Sequence, residues 1–143
     1  MPFRKILVAY DGSNHSEKAL NQAISLAKTE PYASLTVIHV YQLPNYIIGE
    51  ALVALPTNMV NEFFERAKKV VKKAEEKIKD LPRASVVFKE GNAARTILEY
   101  AEEHHCDLIV IGSRGLGAIQ EFFLGSVSHN VVQNAKTAVL VVK

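Results

Sequence analysis

Cysteine is almost absent from this chain, with Cys106 standing alone among 143 residues. A lone cysteine excludes an internal disulfide and a cysteine-built zinc site, and it suits a reducing compartment. Cys106 is expected as a small buried hydrophobe and not as a nucleophile. Net charge is nearly absent too, at +2, which offers nucleic acid no broad basic surface. The densest basic cluster, Lys68, Lys69, Lys72, Lys73 and Lys77, is interleaved with Glu65, Glu75 and Glu76, as on a solvated helix face. No apolar run approaches the ~18 residues of a membrane span. The opening Met1-Pro2-Phe3-Arg4-Lys5 leads straight into a strand-like run where a signal peptide would carry its apolar stretch. The expectation is a soluble cytoplasmic protein with neither nucleic acid nor membrane as partner.

What the chain does have is a composition near the globular average, 48% hydrophobic and 22% charged. Its length fits one domain, 1–143, burying roughly 70% of the unfolded surface. Ile6 to Tyr10 is a continuous apolar run closed by Asp11-Gly12-Ser13, as expected of a strand buried on both faces. A helix follows with the stripe Leu20, Ala23, Ile24 and Ala27, its first turn capped by Ser13 or Asn14. Leu35 to Val40 is a second buried strand. Tyr41 to Thr57, broken by Pro44, Gly49 and Pro56, is expected as a long functional loop, a candidate lid.

From Asn58 to about Lys79, Val60, Phe63, Phe64, Ala67, Val70, Val71, Ala74 and Ile78 keep helical period until Leu81-Pro82. Ser85 to Lys89 is a more polar strand, suited to an edge. The next helix presents Ala94, Ile97, Leu98 and Ala101. Leu108 to Ile111 is a fourth strand. A glycine-rich turn and a short helix then lead to Gly125-Ser126, a last helix to about Asn134, and a fifth strand, Ala138 to Val142. Apolar strands alternating with helices indicate an α/β fold, a doubly wound parallel sheet with helices on both faces. Right-handed crossovers put the strand-to-helix turns on one side. Ligands bind such sheets at the carboxyl ends of the strands where strand order reverses, so the site must come from the turns after Tyr10, Val40, Phe88 and Ile111.

The turn after the fourth strand reads Gly112-Ser113-Arg114-Gly115-Leu116-Gly117, with Gly125-Ser126 following at the spacing G-x-x-G-x9-G-S. Glycines let a backbone approach a bulky anion and aim its N–H groups into one concavity. Gly125-Ser126 opens a helix whose N-terminal N–H groups and dipole suit phosphate. Ser126 and Ser128 add hydroxyls, and Arg114 adds a guanidinium. Any strand-to-helix turn uses glycine; a second glycine-serine pair at a helix start is what favours a polyphosphate. Asp11 either accepts from ribose or adenine, helps place a phosphate-bound magnesium through water, or merely caps the next helix.

Rival readings lack residues they require. A dinucleotide enzyme needs G-x-G-x-x-G after the first strand, and a P-loop enzyme needs G-x-x-x-x-G-K-[ST]. The chain has Asp11-Gly12-Ser13 in the first position and no Lys after either glycine group. A phosphoacceptor receiver domain would carry paired acids after strand one and an Asp after strand three, where Glu90-Gly91 stands. His15, His39, His104, His105 and His129 show no metal-ligand spacing and no nucleophile partner, so no catalytic residue or protein metal site is assigned. His129 alone falls near the expected phosphates. A bound polyphosphate with magnesium needs only a placed water for slow hydrolysis, so weak ATPase activity stays open.

Together these stretches resemble the universal stress protein family in its ATP-binding branch. The likeness rests on Ile6 to Ser13 with Ser16, His39-Val40, Gly91-Asn92, Asp107 to Gly115, and Leu124 to Val127. It implies an adenine nucleotide alpha hydrolase-like sheet of order 3-2-1-4-5, with Asp11 and Gly112 meeting at the switch. By the same resemblance, adenine would lie on Ala9, Asp11 and the backbone of Val40. Ribose and phosphates would lie on Ile111, Gly112, Arg114, Gly115, Gly125, Ser126, Val127 and Ser128. The implied ligand is ATP (or AMP or ADP), with Mg or Mn on the phosphates, in a nucleotide-dependent sensor or regulator of the stress response. The family pairs as homodimers through its last strand, which as a bare apolar edge would invite association anyway. The alternative is a homodimeric interaction protein that does not depend on ATP. One departure is Asn134-Ala135-Lys136-Thr137, where the family often has proline before that strand.

Overall fold

The structure is a computed structural model, and it describes residues 3–43, 46–48, 51–53, 55–114 and 124–143. The order of elements is β1 (Lys5–Ala9), α1 (Asn14–Lys28), β2 (Ser34–Tyr41), β3 (Tyr46–Ile48), β4 (Ala51–Val53), α2 (Thr57–Ile78), β5 (Ala84–Glu90), α3 (Ala93–Glu103), β6 (Leu108–Gly112), α4 (Ser126–Asn134) and β7 (Ala138–Val142). Five strands form one sheet in the order β5-β2-β1-β6-β7, and every pairing in it is parallel. This is the expected 3-2-1-4-5 arrangement, with the more polar strand β5 at one edge and β7 at the other.

The continuous apolar strands are explained by the two faces they serve. Ile6 and Val8 of β1 join Leu35, Val37, Leu108 and Val110 in a cluster with Ala19, Leu20 and Ala23 of α1 and Ala74 and Ile78 of α2. The intervening Leu7, Ile38, Ile109 and Ile111 point the other way, into a cluster with Ala94, Ile97 and Ala101 of α3 and Val131 of α4. Alternation along a strand therefore divides one apolar run between two cores. Cys106 is part of the second packing, and burial pushes its thiol pKa up.

Local signals set the helix ends. Ser13 caps α1, its side chain accepting the Ser16 N–H, and Asn92 caps α3 by accepting from Arg95. α3 closes with the Cys106 N–H donating to the Ala101 carbonyl and His105 to Glu102. His105 takes a positive φ of 54° there, a left-handed closing turn. The expected loop 41–57 needs correction, since it contains the antiparallel pair β3–β4, with Ile47 opposite Leu52. Ile47, Ile48 and Val53 are residues of high strand propensity, a signal hidden in the sequence by the prolines around it.

β1 lies at the centre of the sheet, and its start is fastened from far along the chain. The Asp107 carboxylate accepts from the main-chain N–H groups of Arg4 at 2.9 Å and Lys5 at 3.0 Å. The Asp107 N–H in turn donates to the Lys5 carbonyl.

Candidate functional site

The chain leaves β1 toward α1 on one face, while the chain leaving β6 returns through α4 on the other. A cavity of about 290 Å³ opens where they part, lined by Ala9, Tyr10, Asp11, Ser16, Ile38, Val40, Ala93, Ile97, Ile111, Gly112, Arg114 and Gly125 to Ser128. Ten of the eleven residues named from the sequence line this one space: Ala9, Asp11, Val40, Ile111, Gly112, Arg114, Gly125, Ser126, Val127 and Ser128. The eleventh, Gly115, lies outside the described residues, as does the short helix expected beyond it. His129 is exposed and does not line the cavity.

The cavity has two chemistries. Ala9, Ile38, Val40, Ala93, Ile97 and Ile111 make an apolar wall. Ala93 and Ile97, from the first turns of α3, were visible in the sequence only as part of a helical stripe. The same cavity is lined by Asp11, Ser16, Arg114 and the start of α4. The Asp11 Oδ1 accepts the Ser13 N–H at 2.9 Å, so the carboxylate shapes the turn that Ser13 then closes as helix cap. Ser16 reinforces this turn, its hydroxyl donating to the Ser13 carbonyl at 2.9 Å.

Ser113 pins both ends of the glycine-framed segment. Its carbonyl accepts the Gly125 N–H at 2.8 Å and the Ser128 hydroxyl at 2.8 Å. The Ser128 hydroxyl, expected as a ligand donor, uses its hydrogen within the fold. Gly125, which caps α4 with an ordinary φ of −63°, is not required there by backbone conformation. The first α-helical bond runs from His129 to Gly125, so the N–H groups of Ser126, Val127 and Ser128 have no acceptor inside the helix. They and the helix dipole border the cavity.

A Cβ built on Gly112 would stand 2.8 Å from the His15 carbonyl carbon and oxygen, so the close approach of α1 to β6 by itself demands glycine there. That approach brings together two residues that sequence reasoning kept apart. Arg114 Nη2 lies 3.2 Å from His15 Nε2, with the guanidinium donating. Burial lowers the pKa of His15, and Arg114 and Lys18 lower it further against the pull of Asp11.

Tyr10, the last residue of the first apolar run, is anchored at both ends. Its carbonyl accepts from His39 Nδ1 at 2.9 Å, and burial lowers the His39 pKa below the usual range despite that bond and nearby Asp11. The Tyr10 hydroxyl donates to Glu17, which also meets Lys77 at 2.6 Å and Lys73 at 3.8 Å. Burial by itself would raise the Glu17 pKa, but the bonds from Lys77 and Tyr10 and the two ammonium charges bring it below the usual carboxylate range. Among the described residues no group of three or more His, Cys, Asp or Glu side chains could hold a metal, and no helix is long and apolar enough to cross a membrane.

A doubly wound parallel α/β domain with a largely apolar cleft that also carries polar groups at its switch point is thereby defined. The chain belongs to the universal stress protein family, whose model matches residues 2–143. It is 37% identical to the universal stress protein YxiE of Bacillus subtilis, over 99% of both chains. It is 38% identical to a Thermus aquaticus universal stress protein from the QAH/OAS sulfhydrylase 3′ region, again over 99% of both. Among solved structures, hypothetical protein MJ0577 superposes with a TM-score of 0.81 at 24% identity, covering 100% of this chain and 97% of that one. A universal stress protein from Archaeoglobus fulgidus in complex with dAMP gives 0.71 at 24% identity over 100% of both chains. A universal stress protein in complex with cAMP gives a TM-score of 0.72 at 24% identity over 100% of this chain and 99% of that one. At these identities the structures speak for the fold.

Proposed function

We propose that this protein binds an adenine nucleotide, ATP, in the cleft between Asp11 and Gly125, and acts as a nucleotide-dependent sensor or regulator in a stress response. The observation that carries the reading is the convergence of an apolar wall and a set of anion-suited donors on one space. A purine fits against Ala9, Val40 and Ile97. Asp11 stands where ribose or base hydroxyl and amino groups need an acceptor. The start of α4 and Arg114 meet the phosphates. Relatives solved with dAMP and cAMP support an adenine ligand. Asp11 is the one carboxylate among the described lining residues, so Mg or Mn would be carried by the phosphates, with Asp11 reaching it through water.

We also propose that two copies pair through β7. This strand is a sheet edge, its Val139 to Val142 are only partly covered, and Val132 on the adjoining helix is 43% exposed. A bare apolar edge is stabilised by a matching edge. Sedimentation should give twice the chain mass of 15.8 kDa.

Thermal-shift titration and calorimetry with ATP, ADP and AMP test the ligand. A ligand at a hundred times its dissociation constant adds about 2.7 kcal/mol of stability, which melting reads directly. No response at millimolar ATP, in a protein that still sediments as a dimer, would favour the interaction protein that works without nucleotide.

A further inference from the structure

Arg114 and His15 are 99 residues apart in sequence, yet their side chains meet with Nη2 and Nε2 at 3.2 Å. The contact is not left to two long side chains finding each other. The first turn of α1 is seated on Gly112, where a side chain of any kind would strike the His15 main chain, and Arg114 follows two residues later at the rim of the cleft. A guanidinium has only donors, so Nε2 must be the acceptor and the ring proton must sit on Nδ1. That atom is buried and has no hydrogen-bond partner among the described residues. Among these residues the imidazole is therefore held in place by its contact with Arg114 and by packing.

We propose that His15 is the positioning residue for Arg114: its neutral imidazole holds the guanidinium at the phosphate end of the cleft and so sets affinity for the phosphate chain of a nucleotide, not for its base. This rests on the nucleotide reading of the cleft. The charged groups facing the imidazole are Arg114 and Lys18, which oppose its protonation, and Asp11, which favours it, while burial acts with the cations. A protonated ring has no lone pair to accept with and repels the guanidinium. The hold is consequently present at neutral pH and released as pH falls below the ordinary histidine range, taking Arg114 away from the phosphates.

Calorimetry with ATP and with adenosine, at pH 8 and at a pH below the midpoint of the His15 ring read by NMR, on the parent, His15→Gln, His15→Ala and Arg114→Gln tests this. Glutamine retains an acceptor that does not titrate. At pH 8, His15→Ala and Arg114→Gln should each lose about tenfold in ATP affinity and keep their adenosine affinity, while His15→Gln stays within about threefold of the parent. Between the two pH values the parent should lose ATP affinity relative to His15→Gln, a ratio in which the protonation of ATP itself cancels. Equal loss of ATP and adenosine affinity in His15→Ala would mean a merely structural residue, and an unchanged ratio would mean no hold; either overturns the proposal. The contact has a second readout that needs no nucleotide, the NMR titration of the His15 ring. Its midpoint should rise in Arg114→Gln, and an unmoved midpoint overturns the contact. A midpoint that rises in a protein binding neither ATP nor adenosine would leave the contact standing, overturn the nucleotide reading and with it the role proposed for His15.

Discussion

Gly112 lies so close to His15 that a methyl group at the end of β6 would stand 2.8 Å from the main chain of the first turn of α1. The alanine variant measures what that costs. Gly112→Ala places a carbon 2.8 Å from backbone atoms, which cannot rotate away. It should destabilise the fold by about 1–3 kcal/mol in urea denaturation. A stability unchanged from the parent would show that α1 can lift off β6.

Gly125 is the contrasting case. A Cβ there meets Arg114 Cα at 3.4 Å and other atoms farther off, and its φ suits any residue. Gly125→Val should cost the fold only about 1 kcal/mol while lowering ATP affinity at least tenfold by filling the cleft at the start of α4. Parallel calorimetry and denaturation separate the two effects, and equal ATP affinity would remove Gly125 from the site.

Asp11 accepts the Ser13 N–H inside the fold and has a second role proposed toward the ligand. Asp11→Asn can retain the first while losing the charge, whereas Asp11→Ala loses both. The alanine variant should lose about 1 kcal/mol of stability and the asparagine variant little. Both should bind adenosine more weakly. Unchanged adenosine affinity in both would leave Asp11 as a turn residue alone.

The Tyr10–Glu17–Lys77 group limits stability at both ends of the pH scale. The Glu17 pKa is lowered in the folded protein, so its contribution is present above the ordinary value of 4.5 and is lost as pH falls through the lower folded value. Tyr10 is shifted upward, by burial first and then by Glu17 and Asp11, so its contribution is present below its ordinary 10.0 and is lost in stronger alkali. Denaturation from pH 3 to pH 11 should show Glu17→Gln missing the acid-side slope and Tyr10→Phe missing the alkaline one. Slopes identical to the parent would separate these residues from the transition.

His105 carries the left-handed turn that ends α3. Glycine holds that conformation without the Cβ penalty, so His105→Gly should raise stability by about 0.5–1 kcal/mol, read as a shifted denaturation midpoint. No gain would indicate that the imidazole makes up for its backbone.

The sheet was readable because each of its strands is a short block of apolar residues between turn residues, and a block buried on both faces leaves that mark whichever core each side chain enters. The turns of the cleft were readable because glycine, serine and aspartate cluster at the ends of apolar strands, where they mark a turn and a helix start whatever else they serve. What was hidden depends on contacts across the sheet. Gly112 signals a close approach but not by what, and the body that approaches is α1. His15 looked unpartnered because Arg114 is distant in sequence. The hairpin β3–β4 was masked by Pro44 and Pro56, which mark its surroundings as broken chain. Ala93 and Ile97 satisfied a helical period and gave no sign that one end of their helix is a cavity wall.

The Asp107 carboxylate on the backbone of Arg4 and Lys5 has a consequence for how the molecule is assembled. β1 is made first on the ribosome, yet its second neighbour, β6, and the residue that fastens its start are made about a hundred residues later. Until then one side of the earliest strand is an open template, and neither wall of the cleft has its counterpart. Pairings of such long range close slowly and leave edges exposed while they wait. Completion of the cleft is thus also the event that ends the nascent chain's vulnerability to pairing with its neighbours.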